Sequence, residues 1–155
     1  METIECENVH GERVTVPRST LTFRPTAYAI IVRDGSVLAV RDPKMPRFAF
    51  PGGGVDCGER LAEGLRREVR EEVGLDVVVG DLLHLRENFF YCDPIHAAWH
   101  AIVFYYRCVP NPTNTQPIVG DIVEMRWTPI HELREADFQS VHSDMIRMLR
   151  DRFDA

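Results

Sequence analysis

Residues 53–75 read GGVDCGERLAEGLRREVREEVGL. From Leu61 to Val73 there is no proline, and Leu61, Ala62, Leu65, Val69 and Val73 recur at helical spacing. At about 100° per residue these five fall on one broad arc, so the spacing predicts a helix over 61–73 with an inward apolar face. Glu68, Glu71 and Glu72 stand at i, i+3 and i+4, which sets their carboxylates on a neighbouring face. Three like charges that close repel and raise one another's pKa values. A bound cation resolves the conflict; Mg²⁺ prefers oxygen and is held by a few carboxylates together with substrate phosphates. The plain alternative is a solvated acidic helix face. Upstream, Pro51-Gly52-Gly53-Gly54 follows the apolar run Phe48-Ala49-Phe50. Glycines there let the backbone approach a ligand or metal closely. Gly74 is expected to end the helix as its C-terminal cap, with Leu75 opening the next strand.

Taken together, Gly53, Glu59, Arg67, Glu68, Val69, Glu71, Glu72, Gly74 and Leu75 occupy every fixed position of the Nudix box. The chain therefore resembles the Nudix hydrolases, over roughly residues 23–152. The resemblance implies an α/β fold, the Nudix α/β/α sandwich with a mixed β-sheet between helices. It implies cleavage of a nucleoside diphosphate linked to another group, with Mg²⁺, or Mn²⁺, as cofactor. It gives the metal ligands as the Gly53 carbonyl with Glu68, Glu71 and Glu72, and pairs Arg67 with Glu59 as an ion pair that fixes loop to helix. Such a pair supports the metal site without touching the reacting atoms. Relatives draw the general base from the box or from a later loop, so Glu68, Glu71 and Glu124 all stand as candidates. Glu124 precedes Trp127, where related chains place an acid that reaches the metals; otherwise it is an outward-facing strand residue.

The chain of 155 residues, 45% hydrophobic and 27% charged, is expected to form one globular domain, with residues 1–21 as a polar leader outside the resemblance. A net charge of −6 argues against nonspecific nucleic-acid or acidic-membrane binding. No apolar run reaches transmembrane length and no basic, apolar signal opens the chain, so the expected location is the cytoplasm. Cys6, Cys57, Cys92 and Cys108 form no Cys-x-x-Cys pair and read as free thiols.

Thr3-Ile4 and Val14-Thr15-Val16 read as a small hairpin, and residues 26–32 (TAYAIIV) and 37–41 (VLAVR) as strands about the turn Asp34-Gly35. Residues 77–90 hold one long or two short strands, 99–109 a strong strand and 122–127 the last one. Residues 110–117 read as a loop. Ile130 to Leu133 is read as a short helix, and 141–153 as a closing helix.

Substrate choice is written more faintly. Arg24, Arg41, Lys44 and Arg47 cluster around the strands that feed the box, where they can contact phosphates; singly, such residues are often just solvated. Phe89-Phe90-Tyr91 and Trp99 are placed to stack on a base or to pack in the core. Tyr91 lies where dinucleoside polyphosphate hydrolases of the family carry a tyrosine. The reading leans to a small-molecule nucleotide substrate, a dinucleoside polyphosphate or a nucleoside triphosphate. ADP-ribose or sugar-nucleotide cleavage, and a non-catalytic nucleotide-binding regulator, are the alternatives. A homodimer accords with the family. His96 and His100 have an i, i+4 spacing but lack the glutamate of the zincin motif, and are read as rim or hydrogen-bonding residues.

Overall fold

The helix forms with the bounds its spacing predicts: α1 spans Leu61–Val73. Its arc buries Leu65, Val69 and Val73 against Ala27, Ala29 and Ile31. These alternate residues belong to β3 (Leu21–Arg33), so α1 covers one face of that strand. Ile30 points the other way, into a second core with Val103, Tyr105 and Met145, Ile146 and Leu149 of α2 (Ser143–Phe153). Each fully buried aliphatic side chain of this size contributes about 1.5–3 kcal/mol relative to exposure. A strand that is apolar on both faces requires cover on both, and the two helices supply it. This is the expected α/β/α sandwich, seen in a computed structural model that describes residues 1–112 and 124–153.

The sheet between the helices is mixed. In space its strands run β2 (Arg13–Pro17), β1 (Thr3–Asn8), β6 (Val77–Cys92), β7 (Ala97–Pro110), β3, β4 (Ser36–Arg41) and β8 (Glu124–Pro129). The short β5 (Gly52–Gly54) pairs antiparallel with β3 at Thr26 to Tyr28. β3 and β7 run parallel from Leu21↔Ala98 to Ile31↔Cys108, and β6 returns antiparallel along β7. β4 pairs with β3 only at Val32 and Arg33, which leaves the middle of that β3 edge to β5.

Several elements differ from the expectation. β3 starts five residues before Thr26 and runs through Pro25, because its parallel register with β7 begins at Leu21. Residues 77–92 form a single strand with register shifts between Val79 and Leu82 and between Leu82 and His84. The first residues are more than a polar leader. β1 and β2 form the expected hairpin, which joins the sheet through Glu7↔Phe90 and Asn8↔Tyr91 and buries Cys6 and Val16 against Ala98. Ile130–Glu132 is a single 3-10 turn, and α2 begins at Ser143 after another at Ser140–His142. The loop read at 110–117 and the first two residues of the strand read at 122–127 fall largely outside the described residues. Cys6, Cys92 and Cys108 are buried free thiols, and Cys57 is an exposed one. No helix among the described residues is long and apolar enough to cross a membrane.

One polar group lies deep between the layers. His142 is fully buried, with its ring edge-on to Tyr28 and Phe50 at centroid distances of 4.6 and 5.1 Å. The Tyr105 hydroxyl donates to the Val141 carbonyl at 2.7 Å and meets His142 Nδ1 at 3.1 Å. With the hydroxyl proton on the carbonyl, Nδ1 is assigned as the donor, and Nε2 is buried with no partner among the described residues. Burial, with a smaller push from Arg86, lowers the His142 pKa to about 3. Below the ordinary value of about 6.5 the unfolded chain takes a proton that the native state refuses. Stability therefore falls as pH drops from about 6.5 toward 3, by about 1.4 kcal/mol per pH unit from this one group. Urea unfolding at pH 7, 6 and 5 is expected to show this loss, and His142→Phe is expected to flatten it by one proton's worth, whatever its stability at pH 7. An unchanged slope in the variant would assign the acid sensitivity to other groups.

Candidate functional site

Arg67 ties the box loop to the helix. Its Nε and one terminal nitrogen donate to both oxygens of Glu59, each at 2.8 Å. The same terminal nitrogen reaches the Gly54 carbonyl at 3.2 Å. The other donates to Glu68 at 3.0 Å and to Glu71 at 3.3 Å. The Asp56 amide also donates to Glu59. Led by the bond from Arg67, these interactions hold the Glu59 carboxyl down at about 2. The Arg67 guanidinium is in turn raised above its usual value, chiefly by Glu59.

β5 lies against the acidic face of α1. Gly52 sits at φ +146°, and a Cβ there would meet the Ala27 carbonyl oxygen at 2.1 Å. A Cβ on Gly53 would lie 2.8 Å from the Glu68 carboxylate, so any other residue would push that carboxylate away. The Gly52 amide donates to Glu72 at 3.2 Å. Burial pushes the Glu72 carboxyl up to about 8; the Gly52 bond opposes the shift, while Glu68 and Glu71 reinforce it. Glu68 is raised too, again mainly by burial. The three acids do not converge on one point: Arg67 holds Glu68 and Glu71, and the Gly52 amide holds Glu72. Accordingly, no group of three or more His, Cys, Asp or Glu side chains among the described residues is arranged as a metal site. The glycine cradle against Glu68 and the crowded, partly buried carboxylates nevertheless fit a hard cation.

These groups border a cavity of about 490 Å³ on the sheet face opposite α1. Glu71, Glu72 and Gly52 line one side, and Phe90 and Trp99 line another. Arg24, Arg41, Lys44 and Arg47, the basic cluster singled out in the sequence, line it as well. The Arg24 guanidinium lies 4.3 Å over the Trp99 ring and packs against Gly54, and its Nε is buried with no partner among the described residues.

Two expected residues stand apart from this group. Glu124 opens β8 opposite Arg41 and accepts two bonds from it, at 3.1 and 2.6 Å. Its carboxylate thus goes to an ion pair with Arg41 rather than to the acids of α1, and it does not line the cavity. Tyr91 packs with the N-terminal hairpin, and its hydroxyl meets His96 Nδ1 at 3.3 Å. Neighbouring strand residues face opposite ways, so Phe90 takes the cavity side and Tyr91 the other. His100 pairs with Glu87, and the two histidines share no ligand position. Tyr28 and Asn88 also line the cavity. The sequence reading missed both, because Tyr28 sits in an apolar run and a lone asparagine in a strand carries no signal.

Comparison with known proteins agrees with this geometry. Residues 22–149 match the NUDIX domain. Putative nudix hydrolase 1 of Caenorhabditis elegans is 28% identical over 130 residues, covering 79% of this chain and 33% of the worm protein. Nucleoside triphosphatase NudI of Salmonella schwarzengrund is 53% identical over 36 residues, covering 23% of this chain and 26% of that one. The matches thus span a third or less of the length of these curated relatives. In fold, the crystal structure of a NUDIX hydrolase from Nitrosomonas europaea aligns with a TM-score of 0.64 at 17% identity, covering 99% of this chain and 89% of that one. The matched span takes in the whole glycine strip, the Arg67 clamp and the acids of α1, and the chain belongs to the NUDIX domain family.

Proposed function

We propose that the protein is a divalent-metal-dependent pyrophosphohydrolase that cleaves a nucleoside diphosphate-linked substrate by attack of water at phosphorus. The observation that supports this best is the packing of glycine backbone against clustered acids at the edge of the cavity. With a Cβ at Gly53 only 2.8 Å from Glu68 and Glu72 raised to about 8, the site crowds negative charge that a cation would relieve. In this reading the Gly53 carbonyl, Glu68, Glu71 and Glu72 would hold Mg²⁺ or Mn²⁺, which would supply polarisation of the pyrophosphate oxygens and a lowered pKa for the attacking water. The side chains then divide the remaining work. Arg24, Arg41 and Lys44 bind phosphate oxygens. The proton of the attacking water goes to a box carboxylate, Glu68 or Glu71, and of these Glu71 lines the cavity. Glu124, paired with Arg41, is left as a second-rank candidate for ligand and base. Arg67 and Glu59 are positioning residues.

Of the two favoured substrates, the nucleoside triphosphate gains. Tyr91, the residue that suggested dinucleoside polyphosphates, faces away from the cavity, and one partial relative is a nucleoside triphosphatase. The direct test is a product screen. Protein with Mg²⁺ or Mn²⁺ is given nucleoside triphosphates, dinucleoside polyphosphates, ADP-ribose, sugar nucleotides and NADH, and the products are separated. Cleavage of one class at a pyrophosphate bond, abolished by chelator, is the expected result. Nucleotide binding with no turnover anywhere in the panel would favour a non-catalytic regulator.

Two substitutions separate the roles. Glu72→Gln removes a ligand charge but no apolar core and relieves a buried, repelled carboxyl, so it is expected to lower kcat by orders of magnitude with a melting curve unchanged or raised at pH 7. Near-wild-type turnover at saturating Mg²⁺ would remove Glu72 from the metal site. Glu59→Gln is expected to lower thermal stability and to reduce activity less. Because the Glu59 carboxyl is depressed to about 2, its stabilising bond is complete above about pH 4.5 and is lost as pH falls toward 2. Identical melting curves for wild type and Glu59→Gln at pH 7 would show that the ion pair does not hold the loop.

A further inference from the structure

The strand register arranges one end of the cavity in two rows. In the first, Phe90 of β6 stands opposite Trp99 of β7. In the second, Asn88 stands opposite Ala101, and Ala101 opposite Arg24 of β3. Residues two apart on a strand share a face, and all five of these line the cavity. The rings of Phe90 and Trp99 stack parallel to within 9°, with centroids 6.1 Å apart, and form an aromatic wall in which Arg24 covers one face of Trp99 at 4.3 Å. Beside that wall, the small Ala101 leaves a dish between Asn88 and Arg24, whose strands lie two spacings apart, about 10 Å. The Asn88 carboxamide has no side-chain partner among the described residues, and neither has the buried Arg24 Nε.

We propose that this dish is the nucleobase end of the cavity, that Asn88 is its specificity-determining residue, and that the base it selects is adenine. The proposal rests on the nucleotide reading above and deepens it. An aromatic wall receives any base by its π face and so supplies affinity without selection. Selection needs a group that reads an edge. A carboxamide offers one donor and one acceptor side by side, which matches the amino group and N7 of adenine. On that same edge guanine presents two acceptors and leaves the carboxamide oxygen unmatched; its Watson–Crick edge would match a carboxamide, so the proposal seats the N7 edge on Asn88. Arg24 touches both Trp99 and Gly54. It therefore bridges the wall and the glycine strip, where a phosphate attached to a base in the dish would lie. Among the described residues no side-chain hydrogen bond holds Asn88, and its carboxamide faces the cavity, where a base edge could meet it.

The test is equilibrium binding of AMP, GMP, CMP and UMP in the presence of chelator, measured by calorimetry on wild type, Asn88→Leu and Trp99→Leu. Wild type is expected to bind AMP about tenfold or more tighter than GMP, the scale of one bidentate base contact. Asn88→Leu is expected to keep its melting curve and some affinity for all four but to lose the preference. Trp99→Leu is expected to weaken all four together. Equal affinities in wild type, an undiminished preference in Asn88→Leu, or no binding of any monophosphate by a protein that hydrolyses its substrate would each overturn the proposal. The two readings fail separately. AMP preference without turnover would sink the hydrolase and leave the base site standing. Turnover indifferent to Asn88 would do the reverse.

Discussion

The site depends on the Arg67 guanidinium more than on any single acid. One planar group binds both oxygens of Glu59, the carbonyl of Gly54 and the carboxylates of Glu68 and Glu71. It joins three segments that the chain would otherwise leave independent: the loop before α1, the glycine strip and the helix. A lysine keeps the charge but not the fork, and a point charge cannot serve these acceptors at once. The same contacts explain why the acids tolerate one another. Glu68 and Glu71 share a cation supplied by their own helix, while Glu72, bonded among the described residues by the Gly52 amide, carries the carboxyl pushed up to about 8. The protein thus offsets part of the repulsion it creates and leaves the rest unresolved at the cavity edge.

The position of the acids follows from the sheet. α1 packs on the face of β3 that carries Ala27, Ala29 and Ile31, whereas the cavity lies on the face that carries Arg24, Thr26 and Tyr28. Acids on α1 can reach that cavity only past the edge of β3, and β5 occupies this edge at Thr26 to Tyr28. Three glycines there keep the barrier thin. Glu71 and Glu72 border the cavity as a result, although their helix belongs to the opposite layer. The glycine strip and the acidic triplet are therefore one device, and their fixed spacing in sequence records the distance the chain needs to cross the sheet edge and return as a helix.

What was legible in the sequence was local. The bounds of α1 follow from apolar spacing, the absence of proline and the glycine after Val73, all within one segment. The Glu59–Arg67 pair spans eight residues and was equally plain from the resemblance. The failures involve partners far away in the chain. β3 continues through Pro25 because eleven consecutive registered pairs with β7 stabilise it, and no local rule weighs a proline against a distant strand. Tyr91 and Phe90 differ by one position, and which of them faces the cavity depends on the pairing of β6 with β7 and on two register shifts. Glu124 was judged by its place before Trp127, but its carboxylate is directed by Arg41, 83 residues earlier. The N-terminal hairpin was readable as a hairpin, whereas its union with the edge of β6 was not.

Charge bears on how an acidic chain would hold the polyphosphate proposed as its substrate. The net charge of −6 is a property of the whole surface, but a bound anion feels mainly the charges within about a Debye length, roughly 8 Å at physiological salt. Around the cavity, Arg24, Arg41, Lys44 and Arg47 stand against Asp42, Glu71 and Glu72, so the local field has direction rather than one sign. Arg24 is the pivot of that field. Its side chain is spread on Trp99, its Nε is desolvated, and no carboxylate is paired with it among the described residues. A cation held in that way costs solvation that the protein alone does not return. An anion arriving from the cavity would return it. On the proposed function, the directed field would favour one orientation of the substrate, with the base on the aromatic wall and the phosphates running past Arg24 toward the acids of α1.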